Sequence, residues 1–287
     1  MFKSVAVIGG DLRQITLAKM MAADGYNVTV YGFTENIVME NIFQTDDIKL
    51  ALDNEIIILP VPVTFDGLYI NTPYSENKIT IKRLVSHINP LSLVFGGRIS
   101  KELSDELSRK GVKHRDYMTR DELAIKNAIP TAEGAIAIAM NETSITIHNS
   151  KCLVLGYGKV GKILAKSLSA LGAKTHITAR KYADLALIEG HGYIPMSLNE
   201  AKNRLHDFDI IFNTVPALIL NSTDLSKVSP DTLIIDLASK PGGVDFEKAK
   251  ELGIKVIWAL SLPGQVAPVT AGIIIKDTIY NMLAEEV

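Results

Sequence analysis

Three glycines with the spacing G-x-G-x-x-G, Gly156, Gly158 and Gly161, separate an apolar run from a helix-like stretch. In this pattern the first glycine allows a tight turn, the second lets the backbone approach a pyrophosphate, and the third permits close packing of the helix on the strand. The helix N-terminus adds N–H donors and the positive end of its dipole. The motif therefore predicts a dinucleotide-binding turn.

The residues that follow the next strand indicate which dinucleotide binds. An NAD site typically has an acidic residue about 20 positions after the turn, where it accepts hydrogen bonds from the ribose 2′-hydroxyl. This chain has Arg180 and Lys181 there, within HITARKYAD. A guanidinium binds a 2′-phosphate through paired hydrogen bonds, whereas a carboxylate repels it. We predict NADP, and the alternative is a solvated Arg-Lys pair in a loop.

Two further loops, NTVPALI and LASKPGG, directly follow predicted strands of the same half of the chain. Open α/β sheets bind ligands outside the carboxyl ends of their strands. We expect both loops to line the nicotinamide side of the site, although each alone could be an ordinary turn. The predicted cofactor-binding residues are Gly156, Gly158, Lys159, Val160, Gly161, Arg180, Lys181, Asn213, Thr214, Val215, Pro216, Ala238 and Ser239.

The elements that position these residues alternate along the chain between short apolar runs and helical stretches. This alternation predicts an α/β fold with parallel sheets in two Rossmann-like domains. We expect an N-terminal α/β domain over 1–128, a connector helix over 129–148 that starts after a break at Pro130, and a Rossmann domain over 149–267. A C-terminal helix, 268–287, is expected to pack back on the first domain.

Composition bounds the function. A length of 287 residues favours two domains, and a net charge of -2 argues against a nucleic-acid binder. No signal peptide and no apolar run of roughly 18 residues is apparent, so we expect a protein without a membrane span. The single cysteine, Cys152, lies in a predicted buried strand, where we expect inert packing in a reducing cytosol.

The remaining polar residues exclude some chemistry. The histidines, at 87, 114, 148, 176, 191 and 206, all lie outside SLPGQVAPVTAG, where a 2-hydroxyacid dehydrogenase of this architecture would carry its acid/base. No His/Cys group has metal-ligand spacing, so no metal is expected. The missing histidine counts against a dehydrogenase of a hydroxy acid.

A second glycine turn, VAVIGGDLRQ at 5–14, lacks the third glycine. This segment, together with RDELAIKNAIPTAEG, VLGYGKVGKILA, NTVPALIL, DLASKPGG and LPGQVAPVTAG in that order, resembles the A subunits of bacterial dipicolinate synthase over nearly the whole chain. The resemblance implies an NADP-dependent oxidoreductase that acts on a CH–CH group and oxidises a dihydrodipicolinate-type ring to pyridine-2,6-dicarboxylate. It also implies a flavoprotein-like B subunit, a homo-oligomer and a cytoplasmic role in the mother cell during sporulation.

A dianionic substrate of this kind requires cations and N–H donors. We expect the first glycine turn to provide them, with exposed backbone at Gly9 and Gly10, a helix N-terminus, and Arg13 forked onto a carboxylate. Asp11 would repel a pyrophosphate, and the simpler interpretation makes it a helix N-cap. For Arg13 the simpler interpretation is an exposed helix charge.

Other polar residues complete the predicted substrate site. Glu133 is the candidate base for the proton lost on aromatisation, although Thr131 and Glu133 also suit a helix cap and first turn. Arg120 is a candidate for the second carboxylate, or a solvated loop arginine. The predicted substrate-binding residues are Gly10, Asp11, Arg13, Arg120, Thr131, Ser239 and Lys240.

Two alternatives stay open. One is another two-domain NAD(P)-dependent dehydrogenase, of a hydroxy or amino acid. The other is a non-catalytic NADP-binding subunit whose partner carries out the chemistry, since a binding scaffold needs the same glycines.

Overall fold

The computed structural model describes residues 3–33 and 41–285. The chain divides into two compact units, the first formed by Met1–Lys126 with Ala267–Val287 and the second by Asn127–Val266. The second unit is thus inserted between two parts of the first.

The first unit is built on one sheet. Its strands are β1 (Ser4–Ile8), β2 (Asn27–Tyr31), β3 (Phe43–Gln44), β4 (Ile56–Ile58), β5 (Leu93–Gly96) and β6 (Lys113–Asp116). All pairs are parallel, in the order β3-β2-β1-β4-β5-β6. Its helices are α1 (Leu12–Ala23), α2 (Ile48–Leu52), α3 (Ile81–His87) and α4 (Lys101–Arg109), and a 3-10 turn covers Tyr117–Thr119.

The central strands of this sheet are apolar throughout because both of their faces are covered. Val5 and Val7 pack in one buried cluster with α1, while Ala6 and Ile8 pack in another with α2, α3 and α4. Such continuous apolar runs are typical of parallel strands with helices on both sides.

The second unit repeats this architecture. Its strands, all parallel, are β7 (Lys151–Leu155), β8 (Lys174–Thr178), β9 (Ile194–Met196), β10 (Ile210–Asn213), β11 (Leu233–Asp236) and β12 (Lys255–Trp258), in the order β12-β11-β10-β7-β8-β9. The helices that follow the long helix α5 (Asp121–Glu142) are α6 (Lys159–Ala170), α7 (Tyr182–Gly190), α8 (Leu198–Asn203), α9 (Ser222–Leu225), α10 (Phe246–Glu251) and α11 (Leu262–Val266). A further 3-10 turn covers Leu205–Asp207. Two Rossmann-like folds with parallel sheets are confirmed.

The C-terminal helix α12 (Pro268–Ala284) returns to the first unit, as predicted, and packs against α1. Asp24, the C-cap residue of α1, accepts hydrogen bonds from Lys276 Nζ and Tyr280 Oη, both at 2.9 Å. Lys276 is largely buried, and its ammonium is the main cause that lowers the pKa of Asp24. The predicted range extends to residue 287, and residues 286 and 287 lie outside the described part.

The long helix α5 (Asp121–Glu142) differs from its prediction at both ends. Pro130 was expected to precede the helix but lies inside it, and 143–148 are not helical. An interior proline costs about 3 kcal/mol because it removes one N–H and crowds the preceding turn. The helix nevertheless continues, since its apolar face is buried in the second unit at Ala132, Ala135, Ile136 and Ala139.

Candidate functional site

The G-x-G-x-x-G turn joins β7 to α6 in the geometry that a pyrophosphate requires. Gly156 has φ +99°, which favours glycine, and its N–H donates to Thr178 Oγ1 at 3.0 Å. A Cβ on Gly161 would collide with the carbonyl oxygen of Gly156, so the third glycine permits the close approach of helix and strand. Gly158 is the N-cap of α6 with no side-chain cap, and a Cβ there would meet nothing within 4 Å. The second glycine therefore faces open space, as a site for an approaching phosphate must.

Two exposed cations follow β8, the strand whose last residue contacts this turn. Thr178, which holds Gly156, is the last residue of β8, and Arg180 and Lys181 follow two and three positions later. Lys181 is the N-cap residue of α7. Both side chains are exposed, and within the described residues neither has an ion-pair partner. Both are available to a phosphate.

Asn213, predicted to contact the cofactor, has a different environment. It is fully buried, its Nδ2 donates to Asp236 Oδ1 at 2.8 Å and to the carbonyl of Val215 at 3.1 Å, and its Oδ1 accepts the N–H of Val215 at 3.0 Å. Both Nδ2 hydrogens are used within the fold, and complete burial keeps the side chain out of reach of a ligand. We therefore correct the prediction: Asn213 shapes the loop after β10 instead of binding the cofactor directly.

Asp236, which the sequence prediction did not include, is the centre of the loop after β11. This fully buried carboxylate accepts the N–H of Ala238 at 3.0 Å and that of Gly243 at 2.7 Å, besides the Asn213 amide. The carbonyl of Ala238 accepts the Trp258 indole N–H at 2.9 Å. The N–H and the carbonyl of Ala238 thus each form one hydrogen bond within the fold, and its contact with the cofactor stays a prediction.

The other predicted residues of these two loops lie nearer the surface. Thr214 donates from both its N–H and its Oγ1 to the carbonyl of Leu155, at 3.0 and 2.8 Å, so it ties β10 to the strand that precedes the glycine turn. Val215 is half-buried, and Pro216, Ser239 and Lys240 are exposed. Lys159 is exposed in the first turn of α6, and Val160 is half-buried.

The first glycine turn, between β1 and α1, does not expose its backbone as predicted. Gly9 and Gly10 have φ +58° and +94° and both are buried. The Gly9 N–H donates to the carbonyl of Tyr31 at 2.7 Å, and the Gly10 N–H to that of Asn71 at 2.8 Å. The loop after β4 folds against the turn and, together with β2, takes these donors, so neither is left for an anion.

Asp11 is a helix N-cap, as the simpler interpretation expects, whereas Arg13 is not an exposed helix charge, because only 13% of its side chain is exposed and it pairs with Asp11. Asp11 is the N-cap of α1 in a capping box with Gln14, and its carboxylate also holds the Arg13 guanidinium, with Nε–Oδ1 at 2.9 Å and Nη2–Oδ2 at 2.7 Å. Nη2 also donates to the carbonyl of Val61 at 2.8 Å. Within the described residues Nη1 alone has no partner, so Arg13 retains one nitrogen for a ligand.

Arg120 is part of an ion-pair cluster. Its Nη1 and Nη2 donate to the two carboxylate oxygens of Glu285 at 2.8 and 2.6 Å, and its Nε donates to Glu122 at 2.8 Å. The Arg120 hydrogen bonds lower the pKa of Glu285 below its ordinary value. Glu285 is the C-cap residue of α12, so Arg120 links the start of α5 to the end of α12. This engagement replaces the predicted contact with a substrate carboxylate.

Thr131 and Glu133 lie well inside α5, not at its N-terminus. The Thr131 hydroxyl donates to the carbonyl of Asn127 at 2.7 Å, so it is not a cap. Glu133 is exposed, and in the described part of the chain it forms no ion pair. The first-turn interpretation of Glu133 is thereby wrong, while an exposed carboxylate leaves its chemical role open.

Sequence reasoning missed Gln14 as well as Asp236. Gln14 is fully buried, and its Oε1 accepts the Asp11 N–H at 3.2 Å. The capping-box spacing D-x-x-Q in DLRQ was a signal for it. Asp236 could have been recognised as the polar residue that ends an apolar strand.

The remaining chemistry-bearing side chains belong to the core. Cys152 is buried, and burial raises the pKa of its thiol to about 11. Burial lowers the pKa of His176, whose ring packs edge-on against Phe208. Among residues 3–33 and 41–285, no cluster of three His, Cys, Asp or Glu side chains suits a metal ion. None of the helices in that part is long and apolar enough to span a membrane.

The chain is similar to proteins of known type over 98% of its length. Residues 4–118 match the family described as the N-terminal domain of the dipicolinate synthase A subunit, and residues 137–257 match "Shikimate / quinate 5-dehydrogenase". The A subunit of dipicolinate synthase from Bacillus subtilis is 38% identical over 98% of this chain and 96% of its own. The crystal structure of its counterpart from Bacillus halodurans superposes with a TM-score of 0.91 at 34% identity, covering 98% of both chains.

More distant structures share the fold alone. The transhydrogenase of Sinorhizobium meliloti superposes with a TM-score of 0.73 at 13% identity, over 98% of this chain and 94% of that one. The Rossmann-like dehydrogenase architecture is of the kind that binds nicotinamide cofactors, and the family name denotes one subunit of a synthase. The chain is therefore an oxidoreductase subunit that belongs to the family of dipicolinate synthase A subunits.

Proposed function

We propose that the protein oxidises a dihydrodipicolinate-type ring to pyridine-2,6-dicarboxylate with NADP as the hydride acceptor. The observation that carries the cofactor assignment is the pairing of an open glycine, Gly158, with two exposed cations just after β8, Arg180 and Lys181, which form no ion pair with residues 3–33 or 41–285. The substrate assignment depends on the family to which the chain belongs. When bound, NADP supplies a nicotinamide carbon that accepts a hydride.

The side chains of this protein bind the cofactor, orient the substrate ring and accept a proton. The α6 N-terminus and Gly158 accommodate the pyrophosphate, and Arg180 and Lys181 hold the 2′-phosphate. Loss of one hydride and one proton makes the ring aromatic, which favours the reaction, so the protein mainly needs to orient the ring. Glu133 is the proposed acceptor of the proton, and the free nitrogen of Arg13 binds one carboxylate.

The loops after β10 and β11 act through their positions. Thr214, Val215, Pro216, Ser239 and Lys240 lie on loops that Asn213 and Asp236 fix in place. We propose that these loops border the nicotinamide, and that the two buried side chains are positioning residues.

The first test is turnover. Purified protein, mixed with NADP and freshly prepared dihydrodipicolinate, is expected to raise the absorbance of reduced nicotinamide with formation of pyridine-2,6-dicarboxylate. Glu133→Gln should lower kcat by about 10²- to 10⁴-fold, as expected for loss of a general base. A variant with unchanged kcat would remove Glu133 from the chemistry.

The second test concerns the cofactor. Arg180→Asp should weaken NADP binding by about 10- to 100-fold, because a charged hydrogen bond to the 2′-phosphate is lost, and should leave NAD binding nearly unchanged. Lys174→Asp, which makes the same charge change at the opposite end of β8, is the matched control. Equal losses for both nucleotides would refute the 2′-phosphate assignment.

A non-catalytic, NADP-binding role is the second candidate, favoured by the self-contained hydrogen bonding of the first glycine turn. Turnover that requires a flavoprotein-like B subunit would support it, as would NADP binding without turnover. Homo-oligomerisation and a cytoplasmic role in the sporulating mother cell are also proposed from the family resemblance. Light scattering and localisation of a tagged chain would test them.

A further inference from the structure

A dianion with two carboxylates needs a second cation besides Arg13, and the one expected from sequence is not available. Arg120 already binds Glu122 and both oxygens of Glu285. The need for another cation, which rests on the proposed function, points to the loops at the carboxyl ends of β1, β4 and β5. These loops share one edge of the first sheet because neighbouring strands are parallel.

Arg98 is a cation in one of these loops, the one directly after β5. It follows Gly96 and Gly97, and its φ of +59° is unusual for a residue with a side chain. The Asp116 carboxylate fixes this conformation by accepting the N–H of Arg98 at 3.1 Å and that of Ile99 at 2.8 Å. Strained backbone that neighbouring groups hold in place is concentrated at functional sites.

Hydrogen bonds connect Arg98 to the segment that Arg13 contacts. The N–H of Gly97 donates to the carbonyl of Pro60 at 3.2 Å, and the carbonyl of Gly97 accepts the N–H of Val63 at 3.0 Å. Between these two bonds lies Val61, whose carbonyl accepts Arg13 Nη2 at 2.8 Å. Arg13 and Arg98 therefore flank the same four-residue segment of the loop after β4.

The Arg98 side chain is free to act. It is exposed, and among the described residues it forms neither a hydrogen bond nor an ion pair. Glycine would adopt the same backbone conformation without strain. The strained backbone at Arg98 and its guanidinium without a partner among the described residues therefore indicate a role for this side chain beyond shaping the loop.

We propose that Arg98 binds the second carboxylate of the dianionic substrate, while Arg13 binds the first. A guanidinium offers the planar fork that matches a carboxylate. Asp116 is then a positioning residue, because its two backbone contacts set the direction in which Arg98 leaves the loop. The two arginines together would select a dicarboxylate over a monocarboxylate.

Isothermal titration with two probes tests this assignment. Pyridine-2,6-dicarboxylate and pyridine-2-carboxylate are titrated into the full-length protein, with and without NADPH. Arg98→Gly removes the side chain and relieves the strain at φ +59°, so the variant should fold at least as well as the wild type. We expect it to bind the dicarboxylate about 10- to 100-fold more weakly and the monocarboxylate nearly as well as the wild type.

Two controls separate charge from position. Arg109→Ala removes an exposed arginine from the last turn of α4, and Arg120→Ala removes the cation that links α5 to α12. Neither should change the preference for the dicarboxylate, although Arg120→Ala should lower the melting temperature. A loss of that preference in either control would overturn the assignment of Arg98.

The outcomes distinguish this inference from the proposed function. If the wild type prefers the dicarboxylate and Arg98→Gly retains that preference, Arg98 has no such role but the proposed function stands. If the wild type binds neither pyridine carboxylate although it binds NADPH, the proposed substrate is wrong, and the inference fails with it.

Discussion

The buried carboxylate of Asp236 allows a quantitative test of how the second unit holds its loops. Its Oδ1 accepts from Asn213 Nδ2 and the Ala238 N–H, and its Oδ2 accepts from the Gly243 N–H at 2.7 Å. In Asp236→Asn the amide oxygen can retain the two partners of Oδ1. The new NH₂ group then faces the Gly243 N–H, so one buried donor loses its acceptor.

The expected destabilisation follows from these contacts. Loss of the carboxylate acceptor of the buried Gly243 N–H should lower the free energy of unfolding by about 2–3 kcal/mol. Asp236→Ala leaves three donors without acceptors, and because such losses are not additive we expect about 3–5 kcal/mol. Both values are large against the ~5–15 kcal/mol by which proteins of ordinary stability stay folded.

The single tryptophan provides the assay. Trp258 donates to the Ala238 carbonyl at 2.9 Å and stacks on Phe246 with ring centroids 4.9 Å apart, so its fluorescence reports on the loop that Asp236 holds. Urea unfolding followed by this fluorescence should show transitions in the order wild type, Asp236→Asn, Asp236→Ala, from most to least stable. Asp231→Asn, an exposed residue in the turn before β11, is the matched control.

The result that refutes the reasoning is specific. If Asp236→Asn unfolds at the same urea concentration as Asp231→Asn, the buried hydrogen bonds do not stabilise the loop. If Asp236→Ala is no less stable than Asp236→Asn, the number of unsatisfied donors does not determine the cost.

Three further predictions concern the core and the glycine turn. Lys276→Met should reduce stability at pH 7 by about 1 kcal/mol. Because Lys276 lowers the folded-state pKa of Asp24, this loss of stability should persist above the ordinary Asp pKa of about 4 and vanish as the pH falls through the lowered value. Urea unfolding at several pH values measures this, and a loss independent of pH would contradict it. Cys152, with its pKa raised to about 11 by burial, should react with a thiol reagent at neutral pH only after unfolding, and rapid reaction of the native protein would show that the thiol is accessible. Gly158→Ala should leave the melting temperature nearly unchanged but weaken nucleotide binding, whereas Gly161→Ala should lower the melting temperature. Thermal melts and nucleotide titrations measure both effects. Unchanged nucleotide binding in Gly158→Ala would show that the open space at Gly158 is not the pyrophosphate site.

The fold was largely predictable because the strands of a parallel sheet are apolar on both faces. Runs such as VAVI in β1 and CLVL in β7 need no tertiary information to be recognised. The long helix was misjudged because Pro130 is locally a helix breaker. Only the burial of α5 against the second sheet outweighs that preference, and no local pattern reveals it.

The candidate site was predictable as residue types but not as hydrogen-bond partners. The glycine spacing and the pair Arg180 and Lys181 are local signals, and in the structure Thr178, two residues before Arg180, accepts the N–H of Gly156. Arg120 and Asn213 looked equally free in sequence. Their partners Glu285 and Asp236 lie far along the chain, so only the folded structure reveals that both side chains are already committed.

The insertion of the second unit into the first has a consequence for the order of synthesis. Residues 127–266 leave the ribosome before 267–285, so the second unit holds all its strands while α1 still lacks the helix that covers Leu17, Ala18 and Met21. Until α12 docks, this apolar face of α1 stays exposed to solvent and can form non-native contacts. A ribosome that pauses once residue 266 has left its exit tunnel would leave the second unit complete and the first without α12.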